Sequence, residues 1–280
     1  MRSDTIFPSL EGWESTRQTL HLYTKAIGVV ARAHARPHLR WWHLSLSVHP
    51  NGLVSHSMRL PSGGNFWFRV DLLAHQVVLE TDQESVRTFS MPDALPATAF
   101  GDQVLEAVKE IGLSGTYERD RFENDEPRQY HPDAAERFFI ALSNADRIFK
   151  KHRENLEGEK SPVQFWPHGF DLSFEWFGTR SIEYEEGGEM KRLPSQLNLG
   201  FAPGDATNPQ PYFYSNPWPF ETEALIHQPL PQGTRWFTGS WKGSILPYRE
   251  LVGDKNAEER LLDYARAVFE ITKPTLLASQ

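Results

Sequence analysis

The stretch Trp42-His43-Leu44-Ser45-Leu46-Ser47-Val48-His49-Pro50-Asn51-Gly52 carries the clearest signal of fold class in this chain. Apolar residues at 42, 44, 46 and 48 alternate with polar ones at 43, 45 and 47. That period of two marks a half-buried strand, because successive side chains point to opposite faces. The strand runs into His49-Pro50-Asn51-Gly52, where Asn-Gly tolerates the positive φ of a tight hairpin. A strand that turns back at once belongs to an antiparallel meander. Further strands are predicted near 53–60, 65–72, 75–81 and 85–90, with Pro61-Ser62-Gly63-Gly64 as another turn.

Helices flank this meander. Upstream, Leu20, Tyr23, Ile27 and Val30 recur at helical spacing, predicting a helix from about Glu14 to Ala33 that Pro37 closes off. Downstream, a helix from about Asp102 to Ile111 stops at Gly112. The order then repeats. A helix over about 134–157 places Phe138, Leu142, Ala145, Phe149 and His152 on one face and ends at Gly158. Strands follow near 163–167, 170–177, 196–201, 211–215 and 235–245, and a last helix over about 256–271 is stopped by Pro274. The run 211–220, with prolines at 211, 217 and 219, does not read as a central strand along its whole length and is expected to be an aromatic loop covering a pocket or a packing plug over an exposed core.

The predicted architecture is therefore α+β, a duplicated helix–antiparallel meander–helix unit with sheets flanked by helices. Local pairs support the duplication: His49-Pro50-Asn51-Gly52 faces Trp166-Pro167-His168-Gly169, and Met91-Pro92 faces Leu246-Pro247. The expected division is a first α-β-α unit over 1–117, a charged linker over 118–131, and a second unit over 132–280 with inserted loops in its Gly/Pro-rich 178–234 region. A single pseudo-symmetric domain is the alternative.

Composition bounds the function. With 39% hydrophobic and 24% charged residues the 280-residue chain lies in the globular range. It has no cysteine, which removes disulfides, thiolate metal sites and cysteine nucleophiles, and it fits a reducing compartment. The N-terminal MRSDTIFPSLEGW lacks the apolar core of a secretory signal, and no stretch approaches the roughly 20 apolar residues that span a bilayer. A soluble, cytoplasmic protein is expected. The net charge is −8 and the basic residues are scattered, so no cationic footprint for nucleic acid is present.

Several segments together resemble an uncharacterised bacterial family catalogued as a domain of unknown function, number 5996 of that series. They are Thr19-Leu20-His21-Leu22-Tyr23-Thr24 with Gly28, Trp41-Trp42-His43, and Gly52-Leu53. The most distinctive is Ser161-Pro162-Val163-Gln164-Phe165 leading to Gly169-Phe170-Asp171-Leu172. Gly200-Phe201-Ala202-Pro203-Gly204, Phe213-Tyr214 with Pro217, and Leu246-Pro247-Tyr248 complete it, so the resemblance covers nearly the whole chain. The resemblance implies no established activity. This chain departs from the family pattern at Arg40 and at Ser195-Gln196, where histidine-bearing segments stand in the pattern, and at Val29, where a lysine stands.

No P-loop, strand-linked G-x-G-x-x-G, G-x-S-x-G or H-E-x-x-H motif appears, and nothing in the sequence calls for a cofactor or a metal. The candidates for acid–base chemistry are His21, His43, His168 and Asp171. His21 lies with Tyr23 and Lys25 beside the apolar stripe of the first helix, and His168 sits at a Pro-x-Gly turn. Asp171 shares one strand face with Ser173 and Glu175, a row of polar groups that suits a cationic or polyhydroxyl ligand and that also describes a plain solvated face. Trp42, Trp166, His168, Asp171, Tyr212, Tyr214 and Trp218 are the expected ligand-binding set. The function expected from these residues is small-molecule binding in a pocket lined by aromatics and His/Asp. The alternatives are a hydrolase or lyase using the same His/Asp groups, and a protein–protein interaction module. Oligomeric state is not legible.

Overall fold

The computed structural model describes residues 5–83, 85–205 and 208–278. It shows an α+β fold in which every strand pairing is antiparallel. The chain divides into two compact units, one of Leu10–Ser143 with Gln164–Phe170, the other of Met1–Ser9, Asn144–Val163 and Asp171–Gln280.

The unit containing Leu10–Ser143 opens with helix α1 (Glu14–His34), whose predicted stripe of Leu20, Tyr23, Ile27 and Val30 is buried. A 3-10 turn at Trp42–Leu44 precedes β1 (Leu46–His49). The alternation at 42–48 therefore starts as a turn. Trp41 takes a left-handed φ of 61°, and the Ser45 hydroxyl closes the turn on the Trp42 carbonyl at 2.7 Å. The meander continues through β2 (Gly52–Ser55), β3 (Met58–Arg59), β4 (Asn65–Asp71), β5 (Gln76–Thr81) and β6 (Ser85–Ser90). With β7 (Gln164–Trp166), the strand order is β7-β1-β2-β4-β5-β6, and β3 pairs with β4. Gly52 ends the predicted hairpin where β4 leaves no room: a Cβ there would lie 1.9 Å from the Val70 carbonyl oxygen.

Helix α2 (Ala97–Glu110) begins five residues before its predicted start, and Phe100 on its first turn stacks on Tyr23 of α1, ring centroids 3.7 Å apart. The charged stretch 118–131 is anchored to this unit. Phe122 is fully buried against Gly101, and the His131 backbone N–H donates to the Thr16 hydroxyl at 2.9 Å. Helix α3 (Pro132–Glu154) gives its first half to this unit and its second half to the other.

In the unit containing Asp171–Gln280 the strand order is β11 (Arg235–Phe237), β12 (Gly243–Pro247), β10 (Tyr212–Trp218), β9 (Glu189–Ala202), β8 (Asp171–Glu186). Strands β8 (Asp171–Glu186) and β9 (Glu189–Ala202) form one long hairpin that turns at Gly187-Gly188, both with positive φ. The strand predicted to end near 177 thus continues nine residues further. Its outer arm carries the cross-strand ion pair of Glu183 with Arg192, 2.5 Å, and among the described residues has only Ile182 and Tyr184 as its half-buried apolar positions between exposed polar ones.

The strand predicted over 211–215 runs on to Trp218, so the middle of 211–220 is strand and not loop. Strand β10 (Tyr212–Trp218) lies between β9 and β12 (Gly243–Pro247), while β11 (Arg235–Phe237) forms the edge. Pairing with β12 stops at Ser215, so Pro217 has only β9 beside it, the edge-like setting in which a proline is tolerated. A one-turn helix α4 (Thr222–Leu225) leads toward β11.

The final helix, α5 (Ala257–Leu276), runs past Pro274 instead of stopping before it. Carbonyls of its last turn accept side-chain hydrogen bonds, Leu276 from Ser195 at 2.6 Å and Thr275 from Arg180 at 3.2 Å, which supply the partners a helix end otherwise lacks. The inner sheet face of Leu172, Phe174, Trp176, Leu199, Phe201 and Phe213 is buried with Phe149 of α3 and Phe269 of α5. Among the described residues no helix is long and apolar enough to cross a membrane.

Candidate functional site

Helix α1 carries a second stripe beside its buried one. His21, Lys25, Gly28 and Arg32 follow at intervals of four, three and four residues, which places them on one helix face. All four are partly exposed. Against this face lie the 3-10 turn Arg119–Arg121 and the turn after β7, and together they form a half-open cavity of about 270 Å³. Lys25, Arg32 and Arg121 line it with Asp120 and His168, while Gly28, Leu44 and Pro167 complete the wall. Gly28 matters by what it lacks: with no side chain there, the wall is Pro167 packed against the bare helix, 3.7 Å from where a Cβ would stand.

The three cations differ in how they are held. Arg32 lies 3.6 Å from Glu118 and has its guanidinium 5.4 Å from the Trp41 ring centre. Arg121 also pairs with Glu118, so one carboxylate serves both arginines. Lys25 has no hydrogen bond or counter-ion among the described residues. Partial burial, and then the charge of Arg121, lower its pKa below the usual lysine value.

Two imidazoles adjoin these charges and both are biased to neutrality. The His21 Nε2 donates to the His168 carbonyl oxygen at 3.1 Å, and the ring leans on Phe170 with centroids 5.3 Å apart. Its pKa falls to about 4 through burial first and the Lys25 charge second, an effect the hydrogen bond only partly opposes. His168 is exposed on one side and covered by the cavity wall on the other. That cover, followed by the charges of Arg32, Lys25 and Arg121, lowers its pKa. Of the two imidazoles only His168 lines the cavity, beside three cations and the Asp120 carboxylate.

The other expected residues fall into separate places. Trp166 is half-buried beside His168, ring centroids 5.6 Å apart, but does not line the cavity. Trp42 stacks on His38 at 4.5 Å, and His43 accepts the His38 backbone N–H at 3.1 Å, so both serve the turn before β1. Asp171 belongs to the unit of β8–β12. On the outer face of that sheet Tyr214 donates to the Asp171 carboxylate at 2.5 Å, and Tyr212 donates to Asp205 at 2.6 Å. The Tyr214 ring lies across Gly200, where a Cβ would stand 2.4 Å from it. Burial, with some help from the Asp205 charge, raises the Asp171 pKa from 3.8 to about 6, while the Tyr214 hydrogen bond opposes the rise. Tyr212 and Tyr214 pack against Trp241, at 6.3 and 6.0 Å. Trp218 is at the far end of β10, edge-on to Tyr184 at 5.9 Å. Among the described residues no three His, Asp or Glu side chains gather as a metal-ligand set.

A sequence model of a known family matches residues 7–275 of the chain. The protein belongs to the family of unknown function DUF5996. This DUF5996 chain matches no curated protein and no solved structure. The α1 stripe and the turn at Pro167-His168 both lie inside the matched span, so the cavity is built from the DUF5996 region itself. Of the cavity's residues, His168 alone was among the sequence candidates. Arg32, Arg121 and Asp120 were passed over. The stripe at 21, 25, 28 and 32 was readable from helical spacing. The contribution of 120–121 was not, since nothing in a charged segment announces which helix it packs on.

Proposed function

We propose that this protein binds a small anionic molecule in the cavity lined by Lys25, Arg32, Arg121 and His168. The observation that carries this reading is the state of Lys25, a partly buried ammonium lining a half-open pocket without a counter-ion among the described residues. Burying part of a cation without a partner is costly, and a bound carboxylate or phosphate would remove that cost. The volume of about 270 Å³ suits a metabolite of a few heavy atoms rather than a nucleotide or a peptide. The two arginines, already sharing Glu118, supply further hydrogen bonds and positive potential without being the group in need of a partner.

Isothermal titration with acetate, lactate, alanine and inorganic phosphate at low salt tests the proposal. Binding of at least one of them is expected, weakening as salt rises because exposed charges are screened. Lys25→Met keeps the aliphatic stem and removes the charge. Losing one charge-assisted hydrogen bond, about 1.5–3 kcal/mol, predicts an affinity lower by roughly ten- to a hundredfold. The proposal fails if no anion binds the folded protein, or if Lys25→Met binds as tightly as the native chain.

A further inference from the structure

The cavity holds a second unpaired charge, of the opposite sign. Asp120 lines it from the 3-10 turn Arg119–Arg121. Its neighbours in sequence are both engaged elsewhere, Arg119 with Asp102 at 2.5 Å and Glu123 at 2.7 Å, and Arg121 with Glu118. Among the described residues Asp120 itself has no hydrogen bond or ion pair. A carboxylate present only to neutralise the cationic wall would be expected to pair with Lys25, which lines the same cavity and is also without a partner. The two do not pair. A partly buried ammonium and an exposed carboxylate therefore line one small pocket, open on one side, from different elements, α1 and the Arg119–Arg121 turn.

We infer that the ligand is a free amino acid, held by its carboxylate at Lys25 and the adjoining arginines and by its ammonium at Asp120. This rests on the anion-binding reading above and narrows it. A plain anion would gain Lys25 but would also meet the Asp120 charge. A plain amine would gain Asp120 but would meet three cations. Only a molecule carrying both charges a few bonds apart satisfies both unpaired groups. The apolar wall is short, Leu44 and Pro167 beside the bare Gly28, so it suits a small aliphatic side chain.

The experiment compares L-valine and L-alanine with L-2-hydroxyisovalerate and L-lactate, which replace the amine by a hydroxyl, and with isobutylamine and ethylamine, which lack the carboxylate. Each is titrated at pH 7 into the native chain, Lys25→Met and Asp120→Asn, the last being an exposed substitution whose folding is checked by circular dichroism. An amino acid is expected to bind at least tenfold more tightly than its hydroxy acid. Asp120→Asn should erase that preference and leave hydroxy-acid affinity unchanged or improved, while Lys25→Met should weaken both. If the hydroxy acid binds as well as the amino acid, or Asp120→Asn keeps the preference, the zwitterion assignment is wrong and the anion reading stands. If phosphate binds and no amino acid does, the outcome is the same. If nothing binds, both readings fall.

Discussion

The Asp171 carboxyl offers a test of the outer sheet face that needs no ligand. In the folded chain burial pushes it up to about 6, against 3.8 for an ordinary aspartate, with the Asp205 charge adding to the rise. The folded state thus holds this proton more tightly than the unfolded state does. Stability from the group is fully present below about pH 3.8 and is lost as pH rises through about 6. A gap of about two pK units corresponds to about 3 kcal/mol. Although protein surrounds the carboxyl, Asp171 keeps some accessible surface and solvent screens its charge, so we take about 2 kcal/mol as the change between pH 4 and 7. Asp171→Asn cannot titrate but still accepts the Tyr214 hydrogen bond. Urea unfolding of both proteins at pH 4, 5, 6 and 7, followed by tryptophan fluorescence, isolates the group because the other titrating groups are common to both. The variant should gain about 2 kcal/mol relative to the native chain across that range. A difference that stays flat, or that moves the other way, would refute the claim that this carboxyl is held against its charged form.

Other consequences can be measured directly. The His21 ring, with its pKa near 4, should show no titration by NMR between pH 5.5 and 8, and Lys25→Met should raise its midpoint by removing a nearby positive charge. A midpoint near 6.5 in the native chain would contradict the burial of that ring. Gly101→Ala would place a Cβ 2.1 Å from the Phe122 ring, and such overpacking costs about 1–3 kcal/mol, so a melting temperature lower by several degrees is expected. An unchanged melting point would show that 118–131 is held less firmly than the contact at Phe122 implies.

Much of the fold was legible because its elements obey one period at a time. Helix α1 was predicted over 14–33 and is Glu14–His34, since its apolar stripe is uninterrupted. Strands β4, β5 and β6 fall within a residue of the predicted spans for the same reason. The misreadings came where a local rule was overridden by a partner distant in sequence. Proline was read as a stop at 217 and 274. Yet Pro217 sits where one neighbouring strand has ended, and Pro274 lies in a helix turn whose carbonyls are met by Ser195 and Arg180. Neither circumstance leaves a trace in the residues beside the proline.

The site shows the same limit from the other side. Aromatic clusters drew attention in the sequence, but an aromatic ring satisfies its own needs by packing, as Tyr212, Tyr214 and Trp241 do with one another. What marks a place for a ligand is a group left in need, and need is defined by absent neighbours, which only the folded chain shows. Lys25 looks in sequence like any solvated helix lysine. In the structure it lines a pocket, feels the charge of Arg121, and lacks the carboxylate that its neighbours Arg32 and Arg121 share in Glu118. Spacing alone puts His21, Lys25, Gly28 and Arg32 on one face, so the helical wall of the cavity, Lys25, Gly28 and Arg32, was within reach of the sequence. The rest comes from Leu44 and from residues 120–121 and 167–168, and the zwitterion reading rests on their charges taken together with those of α1.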